Sequence, residues 1–280
     1  MKETPPGAPF PPREGELLYH RHFRSKVLDN ERDLIVYVPP GYRKERTRRY
    51  PVIFFHDGQN VFDPSTATYG NAWLADLIAE RLIRAGRIPP LIMVGIPHTK
   101  ERHEEYTTHF DKKQKEGGRG ALYGRFLFEE VKPMIDKEYR TLTDRNFVAV
   151  IGSSLGGLIT LALAQTYHDH FALCGAMSPA LWWSRGQILK DLEHHADWMS
   201  RMRIWMDMGT REGSTRRVMH AGIHRARQLV QRFDQAELNP GRDYYYWEIA
   251  GGEHTEASWS ARLDKVLLYL FGDFASAAHH

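Results

Sequence analysis

Ser154, in Gly152-Ser153-Ser154-Leu155-Gly156, is the residue of this sequence best placed to act as a nucleophile. An apolar, β-branched run begins at Phe147 and leads into it, and a small-residue apolar stretch follows as far as Ala164. The segment therefore reads as strand, tight turn and helix. In that setting a G-x-S-x-G serine sits on a strained strand-to-helix turn with its hydroxyl lifted clear of the sheet. Gly152 and Gly156 are expected where a side chain would collide with the neighbouring strand or helix. At neutral pH such a hydroxyl attacks only if a base, usually an imidazole, takes its proton and a carboxylate orients that base.

Both partners stand downstream. Glu212 closes Gly209-Thr210-Arg211-Glu212, just past the apolar run 203–208, and His254 follows the glycine-rich turn Ala250-Gly251-Gly252-Glu253 after the run 244–249. The order serine, carboxylate, histidine is the one used where a serine turn of this kind tops an α/β sheet. Asp207 is the alternative acid and Asp197 a more distant one. A residue inside a strand points into a face of the sheet, whereas one a few positions beyond it can reach the histidine, which favours Glu212. Acyl transfer also needs backbone N–H groups aimed at the developing oxyanion. The N–H of Leu155, directly after the serine, is one, and the second is expected at Gly58 or Gln59 after the run 51–56. His56 and Asp57 are not read as catalytic, because a carboxylate beside the oxyanion would oppose it.

The elements that must position these residues follow from periodicity. Residues 16–24 and 32–38 alternate as strands around Asp29-Asn30 and read as a hairpin. Runs at 51–56, 91–96, 147–151, 171–177, 203–208 and 244–249 read as strands. Helical patterns fall between them at 72–85, 122–139 (with Pro133 expected to kink or split it), 187–199, 215–233 and 256–271. Strands alternating with helices predict an α/β fold: a central, mostly parallel sheet of about eight strands with an N-terminal antiparallel hairpin and helices on both faces. The candidate residues then all follow strand C-termini, at the edge where such sheets bind ligands. The polar segment 97–120 is long for a loop inside a compact domain, which marks it as functional or mobile. Residues 1–15 read as a flexible proline-rich lead, 16–274 as one domain, and 275–280 as an artificial tail.

Composition narrows the function classes. The 280 residues carry a net charge of only +3, evenly spread, which argues against nucleic acid, and the run RKERTRR at 43–49 reads as a solvated loop. The single cysteine, Cys174, cannot form an intramolecular disulfide. With no signal-peptide pattern and no long apolar stretch, the expectation is a cytoplasmic protein without a membrane partner. His168-Asp169-His170 and His194-His195 lack companions at ligand spacing, and Gly117-Gly118-Arg119-Gly120 lacks phosphate-loop spacing, so neither metal nor cofactor is expected. Trp182, Trp183, Trp73, Phe62 and Tyr69 are the candidates to wall an acyl pocket, with core packing the alternative. With the serine, carboxylate and histidine above, the partner expected is a small-molecule ester, and oligomeric state is left open.

Several segments together resemble the putative-esterase branch of the α/β-hydrolases, which includes enterochelin-esterase-like enzymes, esterase D (S-formylglutathione hydrolase), feruloyl and acetyl-xylan esterases and mycolyltransferases. They are VYVPPGY at 36–42, FFHDGQNVF at 54–62, VGIPHTKERHEEYT at 94–107, YGRFLFEEVKPMIDKEYRT at 123–141, IGSSLGG at 151–157, SPALWW at 178–183, DMGTREG at 207–213 and GGEHTEASW at 251–259. The resemblance implies an α/β-hydrolase fold without a large cap domain and Ser154, Glu212 and His254 as a triad. It further implies Gln59 and Leu155 as oxyanion donors, and Arg102, Tyr106, Trp183 and Asn60 near the substrate. The function expected is a serine carboxylic-ester hydrolase. The rivals are an acyltransferase on the same scaffold, a siderophore-lactone, feruloyl or acetyl-xylan esterase, and, from another class, a silent binding module.

Overall fold

A computed structural model describes residues 11–193 and 196–277. The lead before residue 11, the pair His194-His195 and residues 278–280 lie outside the described residues. In chain order the elements are β1 (Glu16–Ser25), β2 (Asn30–Val38), β3 (Val52–His56), α1 (Ala75–Arg84), β4 (Ile92–Ile96), α2 (Arg102–Glu105), α3 (Gly120–Arg125), α4 (Lys132–Glu138), β5 (Val148–Ser153), α5 (Leu155–Tyr167), β6 (Leu173–Met177), α6 (Gln187–Asp191), β7 (Arg203–Gly209), α7 (Arg216–Gln235), β8 (Tyr244–Ile249) and α8 (Glu256–Ala277).

The eight strands form one sheet in the order β1-β2-β4-β3-β5-β6-β7-β8. β1 and β2 pair antiparallel, β2 meets β4 antiparallel, and every later pairing is parallel. The central strands are short and wholly buried, so their sequences are continuous apolar runs. The pleat sorts them between two cores. Val52 and Phe54 of β3 face the layer containing α5, whereas Ile53 and Phe55 face the layer built on α1 and α8. From β3 the chain runs outward to β4 on one side and then crosses to β5 on the other. The crevice beyond the C-termini of β3 and β5 is thus the topological switch point, where sheets of this kind bind ligands.

Pro133 splits its helix as expected, and three other expectations need adjustment. The 122–139 helix is divided into α3, a π-helical turn (Phe126–Val131) and α4, because Pro133, with no N–H to give, sits in the first turn of α4. The 187–199 helix stops at Asp191, and a 3-10 turn at Ala196–Arg201 replaces its end. At the N-terminus, residues 13–15 are pinned rather than loose: Arg13 pairs with Asp76, and the N–H groups of Glu14 and Gly15 donate to Glu80. Asp76 and Glu80 are buried on α1 and must find donors, which fixes the chain leading into β1. The last helix also continues to Ala277, past the end expected at Phe271.

Candidate active site

Ser154 joins β5 to α5 at φ 58°, ψ −122°, a conformation that costs a non-glycine residue about 1–3 kcal/mol. Three backbone bonds hold it there: its N–H donates to Met177 O (3.0 Å), and its carbonyl accepts from Ala180 N (2.9 Å) and Leu158 N (3.0 Å). A Cβ at Gly152 would lie 2.6 Å from the carbonyl carbon of Gly156, so glycine is obligatory there. Gly156 itself is less crowded, 3.2 Å from the His56 Cβ, and it is Gly157 that would meet Met177 O at 2.9 Å. The tight pair is therefore 152 and 157 rather than 152 and 156.

The imidazole of His254 bridges serine and carboxylate, with Nε2 2.8 Å from Ser154 Oγ and Nδ1 3.0 Å from Glu212 Oε2. A carboxylate only accepts, so the proton sits on Nδ1 and Nε2 is left to accept the serine hydroxyl. Glu212 Oε1 accepts from Gly209 N (2.6 Å) and from Ser178 Oγ (2.5 Å). Ser178 Oγ in turn accepts from Trp259 Nε1 (3.0 Å) and Arg262 Nη2 (2.7 Å). The Glu212 side chain is 4% exposed and that of His254 is 40% exposed. The carboxylate is thus dry while the imidazole faces solvent.

Asp207, the alternative acid, makes no contact with His254. It lies inside β7 and accepts from Arg262 Nη2 (2.9 Å), Trp205 Nε1 (2.8 Å) and Ser178 N (3.0 Å). Burial pushes its carboxyl up more strongly than the Arg262 guanidinium pulls it down. Ser178 and Arg262 were missed by sequence reasoning. For Arg262 a signal existed, because it falls one turn after Trp259 on the apolar face that Leu263 and Val266 continue, where an arginine needs a buried partner.

The other wall of the crevice is the turn after β3. Asp57 adopts φ 53° and opens the 3-10 turn Gly58–Asn60. A Cβ at Gly58 would lie 2.3 Å from the Ile96 nitrogen, so the turn packs directly on β4. Arg102 grips the Asp57 carboxylate with two bonds (2.7 and 2.8 Å), His98 Nδ1 lies 2.8 Å from it, and Asp57 N donates to Tyr106 Oη (3.0 Å). Burial alone would raise the Asp57 carboxyl, but Arg102 and His98 hold it well below the usual carboxylate range. The N–H groups of Gln59 and Leu155 donate to no acceptor among the described residues.

These bonds correct the substrate contacts implied by resemblance. Arg102 and Tyr106 face inward and hold the turn, with Tyr106 fully buried. Asn60 is also buried, accepting from Thr68 N (2.9 Å) and donating to Glu256 (3.2 Å). Trp183 is 3% exposed and donates to His109 O (2.7 Å), while its neighbour Trp182, 48% exposed, lines the open space above Ser154. Phe62 and Trp73 belong to the core and Tyr69 projects into solvent away from that space. The cavity is about 620 Å³, with Pro179 to Trp182 on one side and one face of α7 on the other.

His56 lies beneath the turn, its Nδ1 2.9 Å from Tyr123 Oη and its Nε2 without a partner. Burial pushes its pKa down to about 3 from 6.5, so the folded protein holds it neutral while the unfolded chain takes up a proton below about 6.5. Its contribution to stability is therefore complete above the unfolded pKa and is lost as pH falls toward the folded one. Between about pH 6 and about pH 4.5 it removes about 2 kcal/mol. In urea titrations at these two pH values, wild type should lose about that much more than His56→Phe, whatever the variant's absolute stability. Equal losses would show that His56 is not the buried neutral group.

Among the described residues no group of three or more His, Cys, Asp or Glu could hold a metal ion. No described helix is long and apolar enough to cross a membrane. The family described as "Putative esterase" matches residues 25–270. The chain belongs to that esterase family. It is 30% identical over 161 residues to the ferri-bacillibactin esterase BesA of Bacillus subtilis, an alignment covering 52% of this chain and 53% of that protein. Among solved structures, an IroE-like serine hydrolase from Shewanella oneidensis superposes with a TM-score of 0.74 at 20% identity, over 92% of this chain and 81% of that one. A ferulic acid esterase superposes with a TM-score of 0.72 at 19% identity, over 93% and 99%. At such identities the structures establish the fold, which is that of an α/β-hydrolase.

Proposed function

We propose that this esterase is a carboxylic-ester hydrolase working through an acyl-enzyme on Ser154, and the hydrogen-bonded chain Ser154–His254–Glu212 carries the reading. Ser154 Oγ attacks the ester carbonyl as its proton passes to His254 Nε2. Glu212 keeps the ring oriented and stabilises the imidazolium. The oxyanion is received by the unpaired N–H groups of Gln59 and Leu155, at the ends of β3 and β5. Collapse releases the alcohol, which takes the proton from His254. A water deprotonated by the same nitrogen then attacks the acyl carbon and releases the acid. Gly58 serves by bringing the turn onto β4, and the Asp57–Arg102 pair keeps it in place.

Transfer to an acceptor alcohol is the rival outcome for the acyl-enzyme. Hydrolysis is favoured by the 40% exposure of the His254 side chain, which lets bulk water reach the nitrogen that must activate it. The names of the relatives point to siderophore or feruloyl esters as substrates. A fluorophosphonate probe should label the protein once, at Ser154, and ester turnover in the presence of glycerol should yield mainly free acid. Failure to label would sink the nucleophile, and a predominantly glyceryl product would reassign the enzyme as a transferase.

A further inference from the structure

We propose that the natural ester carries a negative charge close to its scissile bond, received by Arg217, Arg225 and Lys113; the inference rests on the ester-hydrolase reading above. Both arginines line the cavity that holds Ser154 and His254, and Lys113 enters it from another part of the chain. On α7 the cavity-lining residues are Arg217, Val218, Ala221, Gly222 and Arg225, the spacing of a single helical face. The small pair Ala221-Gly222 lies between the arginines and leaves room for a ligand to approach the helix backbone. Lys113 belongs to the polar 97–120 segment, where Asp111 fixes its backbone by accepting from Lys113 N (2.8 Å), Gln114 N (3.0 Å) and Ser184 N (2.8 Å).

None of the three cations forms a close ion pair among the described residues, although the Lys113 charge acts on the neighbouring Asp111 carboxyl; Arg225 reaches only the carbonyl of Ala221, at 3.4 Å. Among the described residues the only carboxylate lining the cavity is Glu212, and its oxygens are already taken by His254, Gly209 and Ser178. Helix stability does not account for the arrangement. The first turn of α7 contains no acid and two arginines, Arg216 and Arg217, at the positive end of the helix dipole, where cations are disfavoured. An anion in the cavity reverses that cost. Converging like charges above a low-dielectric wall of Leu181, Trp182, Met208 and Val218 also focus the field on an incoming anion. The chemistry selected is an ester with an apolar body and an anionic substituent.

Two matched pairs of probes test this. In one the charge is on the acyl side: the 4-methylumbelliferyl monoester of succinic acid against 4-methylumbelliferyl butyrate. In the other it is on the leaving group: 4-carboxyphenyl against 4-carbamoylphenyl butyrate. In at least one pair kcat/KM should favour the anion by about tenfold at low salt, and the preference should shrink as ionic strength rises. The double variant Arg217→Gln/Arg225→Gln should lose kcat/KM on the anionic ester about tenfold more than on its neutral partner. Neutral esters turned over as well as anionic ones in both pairs would overturn the inference and leave the hydrolase standing. A preference insensitive to salt would overturn it too, even if the double variant failed to fold. If no ester is turned over and Ser154 takes no fluorophosphonate, the underlying reading fails instead.

Discussion

Ser154→Ala should abolish turnover of p-nitrophenyl acetate, lowering kcat by about four to six orders of magnitude while the fold persists. The size of the effect follows from the role proposed for the hydroxyl, which is to form the bond to carbon as its proton passes to Nε2 of His254, 2.8 Å away. Alanine leaves the proposed oxyanion donors and the cavity intact, so a residual acceleration over water should remain. The turn should survive, because its three fixing bonds involve only the backbone of residue 154. Circular dichroism and a thermal melt establish the fold, and single-turnover kinetics with p-nitrophenyl acetate establish the loss. Turnover within tenfold of wild type would remove Ser154 as nucleophile.

Glu212→Gln should lower kcat by about 10³ to 10⁴ with little change in KM, because an amide opposite Nδ1 no longer selects the tautomer that leaves Nε2 free. Asp207→Asn should behave differently. Asp207 is the direct partner of the buried Arg262 and does not touch His254, so its neutralisation strands a cation and should cost about 3–5 kcal/mol of stability. Activity per folded molecule should fall by less than about tenfold, since Arg262 acts on Glu212 only through Ser178 and across 3.7 Å. Urea titration with kcat normalised to folded protein separates the two. A folded Asp207→Asn enzyme as silent as Glu212→Gln would give the acid's role to Asp207.

Much of this was legible in the amino-acid order because parallel sheets align their strand ends. The run 51–56, the serine turn, and the polar residues past 208 and 249 each follow a buried strand, so the topology alone carries Gln59, Ser154, Glu212 and His254 to one rim. The hairpin was legible from its period-two alternation and the glycine at 152 from its motif. Which direction a side chain takes at that rim was not. Arg102, Tyr106 and Asn60 lie beside the site in sequence and resemblance, yet Arg102 and Tyr106 turn inward to hold the buried Asp57, and Asn60 pairs with Thr68 and Glu256. Trp182 and Trp183 are neighbours of opposite fate, because a tight turn sends one ring into the core and the other over the cavity.

Local order thus settled where polar groups emerge, since strand and helix periodicity and turn chemistry act over a few residues. Pairings across 55 to 100 positions, such as Arg262 with Asp207 and His254 with Ser154, depend on how the layers dock. Only the folded chain decides them, because the penalty for an unpartnered buried charge is felt when water has left.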